Sequence, residues 1–438
     1  MAYTVGAVSL GCNKNRVDTE TALSLFKENG YSLTDRPEDA DILLVNTCGF
    51  IDAAKEESID TILEMATYKK TGRCKLLIVT GCLSQRYPEE LLKEIPEIDL
   101  LLGVNQYAEL PAAVEKALHS ERLSLCSDHF GYYEHNRVLT TPFYSAYIRI
   151  GEGCSNHCTF CAIPMIRGPY RSRKEKMILD EMRHLASEGV REHILVAQDT
   201  TRYGTENHEH STLPDLMKKA SSIEGVEWLR VLYCYPDETS EELLDVLANT
   251  NHVCPYLDIP VQHINADLLK RMHRRGTRED ILRCVRGAKE RGLTLRTSLI
   301  VGFPGETEDQ FKELLDFVQE TEFDRLGAFA FSPEDGTPAA KMTNQVPDEV
   351  KQERLDKLMR MQQSISLNRN KSRIGSVEQV LVTDTDHQGH CIGRSMREAP
   401  ETDGEIMVDC NCSDPKPGQF IPVRIQNAET YDLRGIML

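Results

Sequence analysis

Three cysteines stand in the run Gly153-Cys154-Ser155-Asn156-His157-Cys158-Thr159-Phe160-Cys161, in the spacing C-x3-C-x2-C. Three thiolates on one short loop reach three corners of a single [4Fe–4S] cube, which leaves the fourth iron open to a small chelating molecule. A zinc knuckle is the competing use of such thiols. Zinc sites close with a fourth Cys or His at short spacing, and His157, inside the loop, is badly placed to be that ligand. Three further cysteines, Cys12, Cys48 and Cys82, each follow an apolar, β-prone run, at 3–10, 41–46 and 75–80. If these runs are parallel strands of one sheet, their C-terminal ends share an edge, the edge where α/β proteins bind ligands. The three thiols then meet in space and offer three ligands to a second cube. Gly11, Gly49 and Gly81 adjoin them and let the backbone turn closely around a bulky ligand. The plainer reading is three small buried hydrophobes, a common fate of cysteine. Cys74 and Cys126 stand at no strand end and read as structural; Cys410 and Cys412 share a late loop, and two thiols alone make no metal site.

Two such sites need a framework. Residues 1–140 alternate strand-like and helix-like segments, which implies an α/β domain with a parallel sheet. Helical periodicity covers 18–29 through Ala22, Leu25 and Phe26, with Gly30 as its stop. It also covers 52–65, with Ile59, Ile62 and Leu63 on the inner face, and 89–93. Residues 141–346 repeat strand and helix, with strands at 146–150, 193–197, 227–232, 256–259, 294–301 and 326–331. Helices at 177–188, 241–248, 278–291 and 308–320 lie between them. Six units predict a partial (β/α)6 barrel, whose chemistry lies in the loops after the strands. Those loops carry the 154–161 cysteines, Gln198-Asp199, Tyr233, Pro260-Val261-Gln262-His263, Gly302-Phe303-Pro304-Gly305-Glu306 and Ser332-Pro333-Glu334, and outline one pocket mouth. Gln198, Asp199, Gln262 and His263 are candidate polar contacts to the chelating molecule or the substrate, with plain structural hydrogen bonds as their competing use. Pro347 opens a helical linker over 347–374, and short β runs at 377–382, 404–408 and 420–425 predict a small β-barrel over 375–438.

Length and charge bound the partners. A chain of 438 residues suggests two or three domains. No stretch approaches the ~18 apolar residues of a membrane helix, and the first ten residues have no signal-peptide shape, so a cytoplasmic protein is expected. Fourteen cysteines are too sparse for a disulfide scaffold of this length. A net charge of −18 makes a poor general binder of nucleic acid and a plausible partner for basic proteins. The terminal barrel holds eleven Asp and Glu against five Lys and Arg, a net −6, with Glu398, Glu401, Asp403, Glu405 and Asp409 crowding one segment as a candidate docking surface for a basic target. Two basic runs stand against this background: Arg167, Arg171, Arg173, Lys174 and Lys176, and Lys270, Arg271, Arg274, Arg275 and Arg278. They read as solvated faces, or as a dock for an acidic electron carrier or a phosphate backbone.

The C-x3-C-x2-C loop is similar to that of the radical S-adenosylmethionine (SAM) enzymes. Ser9-Leu10-Gly11-Cys12-Asn13-Lys14-Asn15, Val45-Asn46-Thr47-Cys48-Gly49-Phe50-Ile51, Val79-Thr80-Gly81-Cys82 and the cysteine loop followed by Ala162-Ile163-Pro164-Met165-Ile166-Arg167-Gly168 together resemble the methylthiotransferases. The run 50–57 and Tyr170-Arg171-Ser172-Arg173 are similar to the members that modify an aspartate of ribosomal small-subunit protein 12. The resemblance spans the chain and implies a methylthiotransferase domain (1–140), a radical SAM barrel (141–346), the linker and a TRAM-type barrel. It implies that Cys154, Cys158 and Cys161 hold the cluster that binds SAM, whose reductive cleavage gives a 5′-deoxyadenosyl radical able to attack an unactivated β-C–H bond. Cys12, Cys48 and Cys82 would hold an auxiliary [4Fe–4S] cluster that carries the sulfur, and a second SAM would supply the methyl group. Phe160 would pack near the adenine, and Gly302 would let the backbone approach it. The implied partners are ribosomal small-subunit protein 12 and reduced flavodoxin or ferredoxin as electron donor, with no membrane and no tRNA. A tRNA methylthiotransferase acting on a modified adenosine and a non-catalytic iron–sulfur carrier are the alternatives; the acidic terminal barrel argues against the first, the full SAM barrel against the second.

Overall fold

The computed structural model describes residues 3–119, 122–127, 136–206, 211–410 and 413–438. The N-terminal sheet has six parallel strands, β1 (Thr4–Ser9), β2 (Ser32–Leu33), β3 (Ile42–Thr47), β4 (Leu76–Gly81), β5 (Leu100–Leu102) and β6 (Leu123–Leu125), in the order β2-β1-β3-β4-β5-β6. Alternation along β3 sends Ile42 and Leu44 to one face, against Phe26, Leu110 and Val114, and Leu43 and Val45 to the other, against Ile62 and Met65. Helices therefore cover both faces, the arrangement that near-continuous apolar strands require.

Three differences from expectation have physical causes. The first helix begins at Asn13, not near residue 18, and runs to Glu28. Its first turns carry Lys14, Asn15, Asp18 and Thr19, polar residues that hide the helical period because they are buried against other parts of the protein. The helix Asp52–Thr71 buries Ser58, Ile62, Met65 and Ala66, whereas Ile59 and Leu63 are exposed, so its inner face is rotated from the expected one. β2, β5 and β6 are two or three residues long, too short to show a period of two.

The central part has six parallel strands in chain order. β7 (Ser145–Arg149) leads into a two-stranded hairpin of β8 (Gly151–Glu152) and β9 (Arg171–Ser172), which brackets the cysteine loop. β10 (Glu192–Val196) pairs with β7 and with β11 (Trp228–Val231). β12 (Tyr256–Gln262), β13 (Thr294–Val301) and β14 (Arg325–Ala330) form the second half, joined to the first where Leu229 bridges Val253. This is an incomplete barrel, and its shared core runs from Ile148 through Leu257 to Phe323. Thr212, Thr277 and Thr307 start three of the outer helices with reciprocal capping boxes. The linker helix Asp348–Lys371 adds Leu358 and Ile365 to that core.

The C-terminal part is a closed barrel in the order β15-β16-β17-β19-β18, from β15 (Val377–Thr385), β16 (His390–Arg394), β17 (Ile406–Asp409), β18 (Phe420–Ala428) and β19 (Leu433–Met437). β16 and β19 were not legible because Gly393, Arg394, Arg434 and Gly435 interrupt their apolar pattern. Cys410 is buried with its Sγ 3.1 Å from that of Cys391, so its neighbour is on β16; Cys412 lies outside the described residues.

The acidic segment of this barrel needs correction as a docking surface. Glu398 is buried between Arg373 and Arg325. The Asp403 carboxylate is buried, accepts from Tyr256 Oη at 2.6 Å and lies 3.7 Å from Arg296. Glu401 pairs with Arg16 of the first helix at 2.9 Å. These acids fasten the barrel to the body, and of the five only Glu401, Glu405 and Asp409 are exposed. Among the described residues no helix is long and apolar enough to cross a membrane.

Candidate functional site

Cys48 and Cys82 directly follow β3 and β4, and Cys12 stands three residues past the end of β1; the three strands are neighbours in the sheet, so the three cysteines lie along its C-terminal edge. The glycines make this possible. A Cβ on Gly11 (φ +86°) would lie 3.1 Å from Cys48 Sγ, one on Gly49 would lie 2.8 Å from the Leu83 backbone, and one on Gly81 (φ +104°) would lie 2.4 Å from the Thr47 carbonyl oxygen. Each loop thus fills the space that a side chain on the next would need. Ser58 Oγ accepts from Cys48 N–H and donates to its carbonyl, and Ser84 Oγ donates to the Gly81 and Leu102 carbonyls, which fixes the two turns. Cys82 is buried, Cys48 half-buried and Cys12 exposed, so the trio opens on the Cys12 side. Burial pushes the Cys82 thiol up to about 12.

The second trio is held by its own loop. Gly153 (φ +79°) turns the chain, Cys154 N–H donates to the Gly168 carbonyl, and Cys161 N–H donates to the Cys158 carbonyl. Thr159 is pinned on three sides: its N–H to Met272 O, its hydroxyl to Arg271 O, and its carbonyl by Ala339 N–H. The His157 carbonyl takes a ring nitrogen of His273. Burial raises the Cys154 thiol to about 11 and Cys161 further. Arg274 reaches Cys158 Sγ at 3.5 Å, donates to the Pro260 carbonyl at 2.6 Å and covers the Tyr235 ring at 4.3 Å.

The basic runs divide: Lys174, Lys176, Lys270 and Arg278 are exposed, as solvated faces would be, whereas Arg167, Arg171, Arg173, Arg271, Arg274 and Arg275 are buried or half-buried and correct that reading. Arg271 donates to the Pro304 and Gly305 carbonyls, and Arg275 pairs with Asp237 and Glu238. Arg173 is buried on Glu181. Arg167 is 1 % exposed and connects the trios: one Nη donates to Asn15 Oδ1 at 2.6 Å and Asp18 at 2.9 Å and lies 3.7 Å from Cys82 Sγ, while the other donates to Glu152 at 3.1 Å. Arg149 joins the same network through Asp18 and Glu152. Its apolar neighbour is a small cluster of Cys82, Val104, Ala162 and Ile166. The segment after Cys161 thus packs on the segment around Cys82.

The remaining candidates divide. Gln198 donates to Glu152 at 2.8 Å, while its buried Oε1 has no partner among the described residues. Asn156, inside the cysteine loop, donates to Asp199 at 2.8 Å and leaves its own buried Oδ1 unpaired. Asp199 is fully buried on Asn156 and Thr201, and burial raises its carboxyl. Gln262 follows the β12 irregularity with φ +71° and is half-buried. Phe160 packs on Leu268, Met272, Phe303 and Phe331. His263 is fully buried: its Nδ1 accepts from Asn265 N–H and its Nε2 donates to Glu306, which Arg354 also holds, so it braces the loop. Gly302 (φ +72°) receives a different reason from the one expected, since a Cβ there would meet Lys351 Cγ of the linker helix at 2.3 Å. Glu334 takes both Lys55 and Arg86 at 3.0 Å and ties the last barrel loop to the N-terminal sheet.

Sequence reasoning missed Asn15, Asp18, Glu152 and Arg274 as parts of the site. The signal for the first two was available: four polar residues facing inward at the start of a helix beside a cysteine. Among the described residues no group of three or more His, Cys, Asp and Glu side chains is drawn together closely enough to hold a single metal ion. Two sets of three thiols suit two cubes with one open iron each. The unpaired acceptors on Gln198 and Asn156 suit a ligand bearing N–H donors, such as the amino group of SAM.

Comparison with known proteins agrees. A Radical SAM superfamily model matches residues 148–318, the uncharacterized protein family UPF0004 matches 4–103, and a TRAM domain model matches 374–438. A ribosomal protein uS12 methylthiotransferase RimO of Clostridium botulinum (strain Loch Maree / Type A3) is 48% identical, covering 99% of this chain and 98% of its own length. One from Desulforamulus reducens is 47% identical, covering 99% of both chains. Among solved structures, the radical SAM methyltransferase TsrM from Kitasatospora setae aligns with TM-score 0.58 at 14% identity, over 83% of this chain and 89% of that one. The cobalamin-dependent SAM radical enzyme OxsB aligns at 0.51 with 16% identity, over 82% of this chain and 56% of that one, and both likenesses speak to fold. With three matched domains in order and nearly half its residues shared from end to end, the chain belongs to the RimO family of ribosomal protein uS12 methylthiotransferases.

Proposed function

We propose that this protein places a methylthio group on the β-carbon of an aspartate in ribosomal small-subunit protein uS12. The observation that carries this reading is the packing of the segment after the cysteine loop, through Ala162, Ile166 and Arg167, on Cys82 of the other trio, in a chain of this family. Cys154, Cys158 and Cys161 hold the SAM-binding cluster, and Cys12, Cys48 and Cys82 the auxiliary one. When bound, the first with SAM supplies an electron and hydrogen-abstracting power, and the second supplies sulfur. Arg274 and Arg167 place a guanidinium on one sulfur of each trio, which offsets thiolate charge and favours electron acceptance. Gln198 and Asn156 direct acceptors at the SAM amino group. Gln262 contributes polar side-chain atoms and Phe160 an apolar wall, while Asp199 orients Asn156. Gly302 lets the linker helix seal the barrel edge. Reduced flavodoxin or ferredoxin delivers the electron.

The test is anaerobic incubation of the reconstituted protein with SAM, reductant and either uS12 or tRNA, followed by mass spectrometry. A methylthio adduct on an aspartate of uS12 is expected; an adduct on tRNA alone would reassign the substrate, and SAM left uncleaved would leave a cluster carrier.

A further inference from the structure

Lys14 stands two residues after Cys12 and is 7% exposed. Its ammonium lies 3.3 Å from the centroid of the Tyr233 ring and has no carboxylate partner among the described residues. Other buried cations of this chain are treated differently: Arg86, Arg167, Arg230, Arg354, Arg373 and Arg394 each pair with a carboxylate. A buried charge without a counter-ion is costly, and an aromatic face compensates it only in part. The backbone that carries the ring is in the left-handed region. Tyr233 adopts φ +63°, its N–H donates to Asp258 at 2.9 Å, and its hydroxyl accepts from the Asn13 amide at 3.2 Å. Strain of this kind is retained where a site needs it. The location is also specific, because Tyr233 is two residues from Tyr235, the ring under the Arg274 that reaches Cys158. Lys14 and Tyr233 therefore join the segment that carries Cys12 to the loop whose Tyr235 lies under Arg274, the arginine that reaches Cys158.

We propose that the Lys14 ammonium, seated on the Tyr233 ring, receives the carboxylate of the substrate aspartate. This rests on the function proposed above and deepens it. The carbon to be modified is bonded directly to the carboxyl carbon. Gripping that carboxylate would fix the reacting C–H close to the segment that carries Cys12, and effective orientation is worth a large part of such a barrier. The charge-assisted bond replaces the weaker hold of the ring. A neutral adenine or an asparagine offers no anion, so the same contact selects the side chain.

The experiment measures binding of uS12 carrying the target aspartate, or asparagine in its place, to the two-cluster holoenzyme by fluorescence anisotropy. Methylthio transfer is followed in parallel, with iron content and uncoupled SAM cleavage as controls. The native protein is expected to prefer aspartate by about tenfold or more. Lys14→Met should lose that preference, so that both forms bind about equally, while Lys14→Arg keeps most of it. If Lys14→Met sheds iron, the ratio is read instead from Tyr233→Leu, where a several-fold fall is expected. An unchanged aspartate-to-asparagine ratio in an iron-replete variant overturns the assignment while the proposed function stands. Failure of the native protein to modify uS12 at all removes the proposed function itself.

Discussion

The two trios reach similar ends by opposite routes. Cys154, Cys158 and Cys161 come from eight consecutive residues, whose turn is set nearby at Gly153, Cys154 and Cys161, while Thr159 seats the loop on Arg271, Met272 and Ala339. Cys12, Cys48 and Cys82 come from three strand ends spread over 71 residues, and their geometry exists only when the sheet has formed. In the loop site the thiol spacing is local and only the seat of the loop is distant; in the sheet-edge site the spacing itself depends on global packing and on glycines that admit neighbouring backbone. The difference predicts where each site fails.

The largest effects come from deleting one trio at a time. Replacing Cys154, Cys158 and Cys161 by Ala should abolish SAM cleavage and leave about four irons per chain, the content of one cube. Replacing Cys12, Cys48 and Cys82 should stop sulfur transfer and spare uncoupled SAM cleavage. Iron analysis with a cleavage assay reads both, and a native protein with only about four irons would sink the two-cluster reading.

A milder change sharpens the contrast. Gly81→Ala places a Cβ 2.3 Å from Asn46 Oδ1 at a left-handed φ, and should cost about 3 kcal/mol or more of folding stability. Denaturant unfolding reads the stability, and auxiliary iron should fall while the loop cluster of the surviving fold stays loaded. Equal loss of both clusters would mean that the sheet edge has no separate fragility.

The arginines offer a finer comparison. Arg274→Gln removes the donor to Cys158, and should lower the potential of the SAM-binding cluster by roughly 50 mV, the scale of a charge-assisted hydrogen bond. Arg167→Lys keeps the charge that Asp18 and Glu152 require but loses the forked geometry, and should lower the auxiliary potential by less. Redox titration followed by electron paramagnetic resonance separates the two; shifts in the opposite clusters would show the arginines misassigned.

The smallest effect is in pH. Burial raises the Cys82 and Cys154 thiols to about 12 and about 11 in the folded apoprotein, against an ordinary thiol near 8.5. A raised folded value means that this part of apoprotein stability is present below the ordinary value and is lost as pH climbs towards 11–12. Metal uptake releases the same protons and therefore becomes easier over that range. Apoprotein melting temperature should fall between about pH 8.5 and 11 while iron uptake rises; a flat melting profile would place these thiols in solvent.

The loop trio was legible because spacing alone states it. The sheet-edge trio was legible because strand, glycine and cysteine recur in one order at Gly11-Cys12, Cys48-Gly49 and Gly81-Cys82. The six central strands were legible from apolar runs. Less visible was what charge does. Arg167, Arg173, Arg274, Glu398 and Asp403 read as surface, since sequence cannot distinguish a solvated ion from one buried against a partner 150 residues away. His263 and Gly302 had site-like positions and structural roles, because the loops after barrel strands must also be braced.

One of those buried ion pairs bears on how the protein is made. Glu192 opens β10, is fully buried, and takes Arg394 at 2.6 Å from 202 residues downstream, beside Arg230. Arg394 and Arg230 outweigh the cost of burial and hold its carboxyl at about 2. Chains emerge and fold from the N-terminus first. Until the last barrel has left the ribosome, Glu192 has only Arg230 and the Ser145 hydroxyl as partners among the described residues, and the central strands are expected to be less stable than in the finished protein. The terminal barrel would then be the closing step of assembly: a nascent chain arrested before Arg394 should have its N-terminal sheet protected from proteolysis and its middle more readily cut.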